Sequence, residues 1–281
     1  MKYLSEETFE EILLQIMQHD TIDLRKAEFA DPYGMVGILE GGRHLSGRGV
    51  RKTLLLPESG KVLQYLERMD FFKYAQHYFH IEPGATDLPE KFLRSSRSDV
   101  LLEITPIEKS GDIHFIVERV KQRASAILAK HLLFTEHAIY GFIVALSEVC
   151  QNILEHSENT GFVGIQKYRF QKQDRNVVKI AVMDLGIGFR ESLSERFPAA
   201  GDMEAVEQAL LHGVSRHRDK GRGHGLAAVR RFVIRWHGKI SIRSGTAKCS
   251  IIPEWTWGRQ REDNLARFPG TQIHIMLPEV V

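Results

Sequence analysis

The segment Glu148-Val149-Cys150-Gln151-Asn152 decides the fold, because it places polar side chains on a helix that is otherwise apolar. Apolar residues recur at helical spacing around it: Ile139, Phe142, Ile143, Leu146, Val149, Cys150 and Ile153. Glu148, Asn152 and His156 follow one another at intervals of four, so they form one stripe away from that face. A carboxylate and an amide oxygen on one stripe suit a hard cation and a water. Taken alone, the stripe favours a solvated helix face.

Two glycine-bearing segments downstream change this interpretation. Asp184-Leu185-Gly186-Ile187-Gly188 ends a predicted strand with an acid and two glycines, so a planar ring can approach while the carboxylate accepts a hydrogen bond. Gly221-Arg222-Gly223-His224-Gly225-Leu226 then opens a predicted helix, where free backbone N–H groups suit a polyphosphate. Gly270-Thr271 begins the last predicted strand.

These four segments, in this order, resemble the GHKL ATPase superfamily of gyrase B, the large heat-shock chaperone, histidine kinases, MutL and anti-sigma-factor serine kinases. Glu148 to Asn152 match its asparagine box, Asp184 to Gly188 its first glycine box, and Gly221 to Leu226 its second. The resemblance covers roughly residues 100–281, the usual size of one domain. It implies the two-layer α/β sandwich known as the Bergerat fold.

The resemblance also implies roles for individual residues in binding ATP and Mg²⁺. Asn152 would ligate Mg²⁺, and Glu148 would orient or deprotonate the attacking group as the catalytic residue. Asp184 would bind the adenine amino group with support from Thr271. The other implied nucleotide contacts are Gly186, Gly188, Gly221, Gly223, His224, Gly225 and Leu226. His156 is a further candidate contact, with a hydrogen-bonded histidine that closes its helix as the alternative.

The segment from Phe189 to Lys220 corresponds to the ATP lid of that superfamily. Within it, Asp202 to Leu211 predicts a helix that begins with an Asp202 cap and ends before Gly213. A basic stretch follows, and Arg216 and Arg222 are the candidates for closing over the phosphates. The alternative is a solvated basic loop.

The rest of the C-terminal part predicts helices beside antiparallel strands. Two long helices run through Ile113–Leu128 and Ile139–Ile153, and strands follow at 162–170 and 177–184. A helix from Gly225 to His237 with Gly238 as its C-cap precedes strands at 239–244 and 271–277. Cys150 faces the core, which favours packing over reactivity. The three tryptophans predict core or edge-strand positions.

The N-terminal part predicts a smaller α/β domain that resembles STAS domains, the fold of anti-sigma-factor antagonists. The segment Phe29-Ala30-Asp31-Pro32-Tyr33-Gly34-Met35 is similar to the strand and helix start of that family. Pro32 and Tyr33 stand where its serines would be, so the usual phospho-acceptor is missing. The polar stretch from Pro83 to Asp99 places the boundary, with a STAS-like regulatory domain at 1–95 and a GHKL ATP-binding domain at 96–281. We hypothesise that the first docks on the second in cis or in a homodimer, with Tyr33 at the contact.

Composition limits the alternatives. The chain has 281 residues, of which 43% are hydrophobic, and a formal net charge of +2, so no charge excess indicates nucleic acid or an acidic membrane. Apolar runs such as 142–146 are far shorter than the roughly 20 residues of a membrane span, and the acidic start Ser5-Glu6-Glu7 does not resemble a signal peptide. Two cysteines, Cys150 and Cys249, favour a reducing cytoplasm.

The sequence therefore predicts a cytoplasmic regulatory protein that binds ATP or ADP with Mg²⁺ and acts on an unidentified regulatory protein partner. It either hydrolyses ATP or phosphorylates that partner on serine or threonine. The alternative is a non-catalytic, nucleotide-gated interaction module in which lid closure is the signal. A phosphotransfer to histidine is disfavoured, because neither His114 nor His131 has the sequence context that histidine kinases use.

Overall fold

A computed structural model of the chain describes residues 1–82, 100–156, 159–170, 174–198, 201–214 and 225–280. Its helices are α1 (Phe9–Gln18), α2 (Pro32–Ser46), α3 (Gly60–Arg68), α4 (Phe71–Tyr78), α5 (Ser110–Leu132), α6 (Glu136–His156), α7 (Gly188–Ser192), α8 (Asp202–Leu210) and α9 (Gly225–Arg235). Its strands are β1 (Tyr3–Leu4), β2 (Thr21–Asp23), β3 (Phe29–Ala30), β4 (Lys52–Leu55), β5 (Phe79–Glu82), β6 (Val100–Ile107), β7 (Gly161–Phe170), β8 (Arg175–Asp184), β9 (Lys239–Gly245), β10 (Ala247–Ile251), β11 (Arg261–Glu262) and β12 (Phe268–Pro278). The predicted mixed α/β fold is confirmed.

The central sheet joins seven of these strands in the order β11-β10-β9-β12-β8-β7-β6, and its pairs are antiparallel. Strand β8 lies between β7 and β12. Asp184, its last residue, pairs with Gly161 at the start of β7, and Met183 pairs with Gln272 on β12. The candidate adenine-binding carboxylate therefore stands where one strand ends between the beginnings of two others.

Helices α5, α6 and α9 cover one face of this sheet, as the sequence predicts. Alternate residues of β8 point to them: Val178, Ile180 and Val182. The helices contribute buried apolar side chains to the same core, among them Ile116, Phe142, Leu146, Val149, Ile153, Val229 and Val233. Each such side chain contributes roughly 1.5–3 kcal/mol through burial. This core fixes the orientation of α6 and so the direction of its polar stripe.

The opposite face of the sheet is covered by residues 1–82, which we call the front region. Helix α2 packs against β7 and β8. Phe162, Ala181, Met183 and Phe268 of the sheet lie in one apolar cluster with side chains of α1 and α2. The sequence predicts docking in cis or in a homodimer with Tyr33 at the contact, but it does not predict which face of the sheet the front region covers. The proposed boundary falls within residues 83–99, outside the described residues, so the division at 95 and 96 stays a prediction.

Ion pairs cross between the front region and the sheet. They are Asp31 with Lys179, Glu10 with Arg243, and Glu6 with Lys239, Lys248 and His274. Burial raises the pKa of Glu6, but the His274 hydrogen bond and the two lysine charges outweigh it, so the pKa lies well below its usual range. An unpaired buried charge costs several kcal/mol, so removing the charged partners from either the front region or the sheet should destabilise the protein.

Helix α2 carries the front region onto the sheet. The Asp31 side chain caps it, accepting a 3.1 Å hydrogen bond from the Gly34 backbone N–H. The helix runs through Gly41 and Gly42 and ends at Ser46. Tyr33 is 1% exposed and packs edge-on against Phe9 and His274. It therefore lies inside the contact between the front region and the sheet, not on an open surface.

Three local expectations differ from the structure. Helix α9 ends at Arg235, before the predicted end at His237. His237 adopts φ +50°, and the Gly238 N–H donates a hydrogen bond to the Val233 carbonyl oxygen. The left-handed residue that caps the helix is therefore His237 and not the predicted Gly238. Gly201 occupies the N-cap of α8, and Asp202 is its first helical residue. Trp257 is 92% exposed in a loop and is not a core residue.

Helix α6 is the only helix among the described residues that is long and apolar enough to cross a membrane, judged by length and composition. The tested window spans Glu136–Glu155 and is 44% buried inside the protein. A core helix meets the same criteria, and the apolar side of α6 packs against the sheet. One helix of this kind is weak evidence for a membrane span.

Candidate functional site

The polar stripe of α6 meets the beginning of α9. Glu148 and Asn152 are partly buried, and Gly225 lies directly against them. A Cβ atom at Gly225 would lie 2.7 Å from Glu148 Oε2 and 3.7 Å from Asn152 Oδ1. A larger residue would displace the end of the glutamate side chain, so the glycine permits this close approach. The structure thus brings Gly225, at the start of α9, next to the polar stripe of α6.

Asp184 lies at the end of β8 and is 4% exposed. Its Oδ1 accepts a 2.7 Å hydrogen bond from the Gly186 N–H, and the Thr271 backbone N–H also bonds to its side chain. Burial raises the pKa of Asp184 to about 7, while the Gly186 N–H, the Arg43 charge and the Thr271 N–H act in the opposite direction. The carboxyl therefore changes its protonation state near neutral pH.

The loop after Asp184 depends on two glycines with positive φ. Gly188 has φ +74° and Gly270 has φ +72°, conformations that other residues adopt only with strain. A Cβ at Gly270 would lie 2.1 Å from the Asp184 carbonyl oxygen and 2.7 Å from its Oδ1. Ser244 on β9 connects the loops, because its hydroxyl donates to the Gly270 carbonyl and accepts from the Phe189 N–H. The sequence did not indicate Ser244.

Helix α2 of the front region reaches the same place with two charged residues that sequence reasoning missed. Arg43 donates two 2.6 Å hydrogen bonds to Thr160, one to its hydroxyl and one to its carbonyl. Glu40 is fully buried, and its Oε2 lies 3.0 Å from Arg43 Nε. Burial raises the pKa of Glu40 well above its usual range; the Arg43 charge opposes this shift and the Asp184 charge adds to it. No local sequence pattern connects α2 with β8.

The described part of the expected lid consists of α7 and α8. Asp202 ties α8 to the turn between β9 and β10, since its Oδ2 accepts hydrogen bonds from the Thr246 N–H and hydroxyl, both 2.9 Å. The candidates Arg216, Gly221, Arg222, Gly223 and His224 lie outside the described residues, as does the side chain of His156. Leu226 packs against the helix-side core.

The two cysteines lie in the protein interior. Cys150 and Cys249 are both buried and free. Burial raises the pKa of the Cys150 thiol to about 12. A thiol in such surroundings is not a nucleophile, which agrees with the predicted packing role.

The donors around Gly225 fit a magnesium ion that is bound together with phosphate. Within the described ranges, no group of three or more His, Cys, Asp or Glu side chains forms a self-contained metal site. The oxygens of Asn152 and Glu148, both next to Gly225, would supply one or two hard ligands to such an ion. Mg²⁺ is usually held in this way, with waters and substrate phosphates completing its shell.

Comparison with known proteins places this site in a family. The family model described as "Histidine kinase-, DNA gyrase B-, and HSP90-like ATPase" matches residues 140–280. No curated protein matches the sequence significantly. Among solved structures, the histidine kinase domain of the Erythrobacter litoralis EL346 blue-light activated histidine kinase is similar over 97% of this chain and 93% of its own, with 12% identity and a TM-score of 0.26. A likeness at that score supports no conclusion about this chain. The matched residues include most of α6, the end of β8, α9 and β12, and the chain belongs to the histidine kinase-, DNA gyrase B- and HSP90-like ATPase family.

Proposed function

We propose that this chain binds Mg·ATP between α6, the end of β8 and the start of α9. The observation that carries the proposal is the contact of Gly225 with Glu148 and Asn152, because it joins two of the three sequence boxes in space. Asp184, with its positive-φ glycine neighbour Gly270, supplies the third part at the end of β8. The remaining predicted contacts at 216 and 221–224 belong to the same proposal.

Each residue has a definite task in this proposal. The ionised Asp184 accepts a hydrogen bond from the purine amino group, while the Thr271 N–H orients the carboxylate. Asn152 ligates Mg²⁺, which when bound neutralises phosphate charge. Glu148 orients or deprotonates the attacking hydroxyl or water. Phosphoryl transfer depends mainly on such positioning and charge neutralisation, so the chain needs no covalent nucleophile.

We further propose a regulatory role in the cytoplasm. The chain either hydrolyses ATP slowly or transfers the γ-phosphate to a serine or threonine of a partner protein, in the manner of anti-sigma-factor serine kinases. Residues 1–95 form the STAS-like regulatory part and residues 96–281 the ATP-binding part. The close packing of α2 on β7 and β8 supports regulation within one chain, with a homodimer as the other arrangement.

A non-catalytic, nucleotide-gated module is the second candidate. The tie between Asp202 and Thr246 favours it, because this tie couples α8, in the expected lid, to the edge of the sheet. In such a module the arrangement of the lid, and not a phosphorylated product, is the signal.

Product analysis with labelled ATP distinguishes the two. We expect ADP from the wild-type chain and its loss in Glu148→Ala, with ATP affinity retained. Glu155→Ala is the matched control, since Glu155 is exposed on the same helix. Binding without turnover in all three proteins would support the module. Calorimetry with ADP and ATP, with and without Mg²⁺, tests the site itself, and absence of binding by the wild type would overturn the proposed function.

A further inference from the structure

We propose that Arg43, on helix α2 of the front region, is a positioning residue of the nucleotide site: it holds Thr160 at the start of β7 and so places a cationic charge near the Asp184 carboxyl. This inference rests on the proposed function, since it concerns the same carboxylate. It makes the front region part of the ATP site and not only a neighbour of it.

The geometry places Arg43 at the point where β7 begins beside Asp184. Its two hydrogen bonds hold both the side chain and the carbonyl of Thr160. The next residue, Gly161, is the cross-strand partner of Asp184. The guanidinium also lies 5.7 Å from the centre of the Phe162 ring. Arg43 is thus fixed on three sides, so its charge stands in a defined position relative to Asp184.

The charges around Asp184 leave Arg43 as its cationic neighbour. Strand β8 packs against β7, β12, α2, α5 and α6, and the loop to α7 follows its end. Thr160, which precedes β7, and Thr271 on β12 contribute no charge, and Gly186 contributes a backbone N–H. From α2, the facing ionisable groups are Glu40 and Arg43, with His44 turned toward Phe268. Of these, Arg43 favours the ionised form of Asp184.

Glu40 determines how much of that charge reaches Asp184. Two buried carboxyl groups, Glu40 and Asp184, share one guanidinium. Neither oxygen of Glu40 has a hydrogen bond of ordinary geometry within the described residues. In the proposed arrangement Glu40 is protonated, since burial raises its pKa well above the usual range, and the Arg43 charge then acts on Asp184. Any movement of α2 that withdraws Arg43 then favours protonation of Asp184 and release of the nucleotide.

Carboxyl titration by NMR tests the inference without a ligand. The protein is labelled with ¹³C at aspartate carboxyls, and Asp184→Asn assigns the signal. We expect a midpoint for Asp184 near the value of about 7 in the wild type and a higher one in Arg43→Gln, which keeps donors for Thr160 but loses the charge. Arg43→Lys should restore a midpoint close to that of the wild type. An unchanged midpoint in Arg43→Gln would overturn the inference.

Glu40→Gln is the matched variant on the same helix turn. If Glu40 is already protonated, this nearly isosteric change leaves the Asp184 midpoint unaltered, whereas a lower midpoint would show that Glu40 competes as an anion and would overturn the arrangement. A lower midpoint would therefore overturn the arrangement even if Arg43→Gln does not fold.

Calorimetry with ADP then links the titration to binding. For each unit by which Arg43→Gln raises the Asp184 midpoint, ADP binding should weaken about tenfold at pH values below both midpoints. The ADP affinities of the variant and the wild type should converge toward about pH 9. A purely structural role of Arg43 would give the same loss at every pH and would overturn the inference. If the wild type binds no ADP, the proposed function fails, while the titration still shows whether Arg43 controls Asp184.

Discussion

The Asp31 carboxylate and the Lys179 ammonium lie 2.7 Å apart, although 148 positions separate them in the sequence. Both side chains are buried, with 0% and 5% of their surface exposed. Burial lowers the pKa of Lys179, but the Asp31 charge outweighs this effect and the net shift is upward. Asp31 also caps α2, so one carboxylate fixes both the start of that helix and its place on β8.

We therefore expect Lys179→Met to lower the free energy of unfolding by about 3–5 kcal/mol, because it leaves Asp31 buried and unpaired. Urea denaturation measures the change. Lys2→Met is the control, since the exposed pair of Lys2 and Glu28 should contribute about 0–1 kcal/mol. Similar losses in both variants would contradict a structural role for the buried pair.

Asp184→Asn should stabilise the fold near neutral pH and abolish nucleotide binding. The pKa of Asp184 is raised from 3.8 to about 7, so the folded state holds this proton more tightly than the unfolded state, and ionisation destabilises the fold as pH rises toward and through 7. We expect the variant to melt at a higher temperature than the wild type at about pH 8 and to lose this advantage at about pH 5. It should also lose ADP binding. Thermal melts at the two pH values, without nucleotide, measure the effect; an equal difference at both would argue against ionisation as its cause.

Gly225→Ala should impair nucleotide binding while the fold persists. The added methyl group would lie 2.7 Å from Glu148 Oε2 and 3.7 Å from Asn152 Oδ1, in the space proposed for Mg²⁺ and phosphate. Gly111→Ala is the control, because Gly111 also lies in the first turn of a helix and has no atom within 4 Å of the added carbon. Fluorescent-nucleotide titration compares the two. Equal affinities would mean that the contact between Gly225 and Glu148 is not part of the site.

Tyr33→Glu should destabilise the whole protein. The ring is buried between Phe9 and His274, so the substitution creates a cavity and buries a carboxylate among Glu6, Glu10 and Asp31. We expect a loss of more than about 3 kcal/mol, whereas Tyr33→Phe, which keeps the ring, should lose much less. Chemical denaturation followed by tryptophan fluorescence checks this. A mild effect of Tyr33→Glu would indicate that the front region leaves the sheet readily.

The sequence predicts those parts of the site that local chemistry encodes. Glu148 and Asn152 share a helix face because of their spacing, and Asp184 ends a strand because two glycines follow it. The fold class follows from the same periodicities. These features depend on residues within a few positions of each other, which is the range where sequence patterns are informative.

The front-region contacts could not be predicted in this way. Arg43 and Thr160 are 117 positions apart, and no spacing rule relates them. The strand Lys239-Ile240-Ser241-Ile242-Arg243 alternates apolar and polar residues, which ordinarily indicates one solvated face. Here Lys239 and Arg243 are buried, because carboxylates of the front region neutralise them. Only the complementary acids, far away in the chain, reveal that this polar face is an interior.

The covered cationic sheet face has a consequence for anyone who shortens this chain. A fragment that begins near residue 100 would keep the sequence boxes of α6, β8 and α9. It would also expose Lys179, Lys239, Arg243 and Lys248 to solvent without their acidic partners. Such a surface attracts nucleic acids and acidic proteins nonspecifically, in a manner that salt abolishes. Molecules that bind such a fragment would then bind the newly exposed cationic face, which the front region covers in the intact protein.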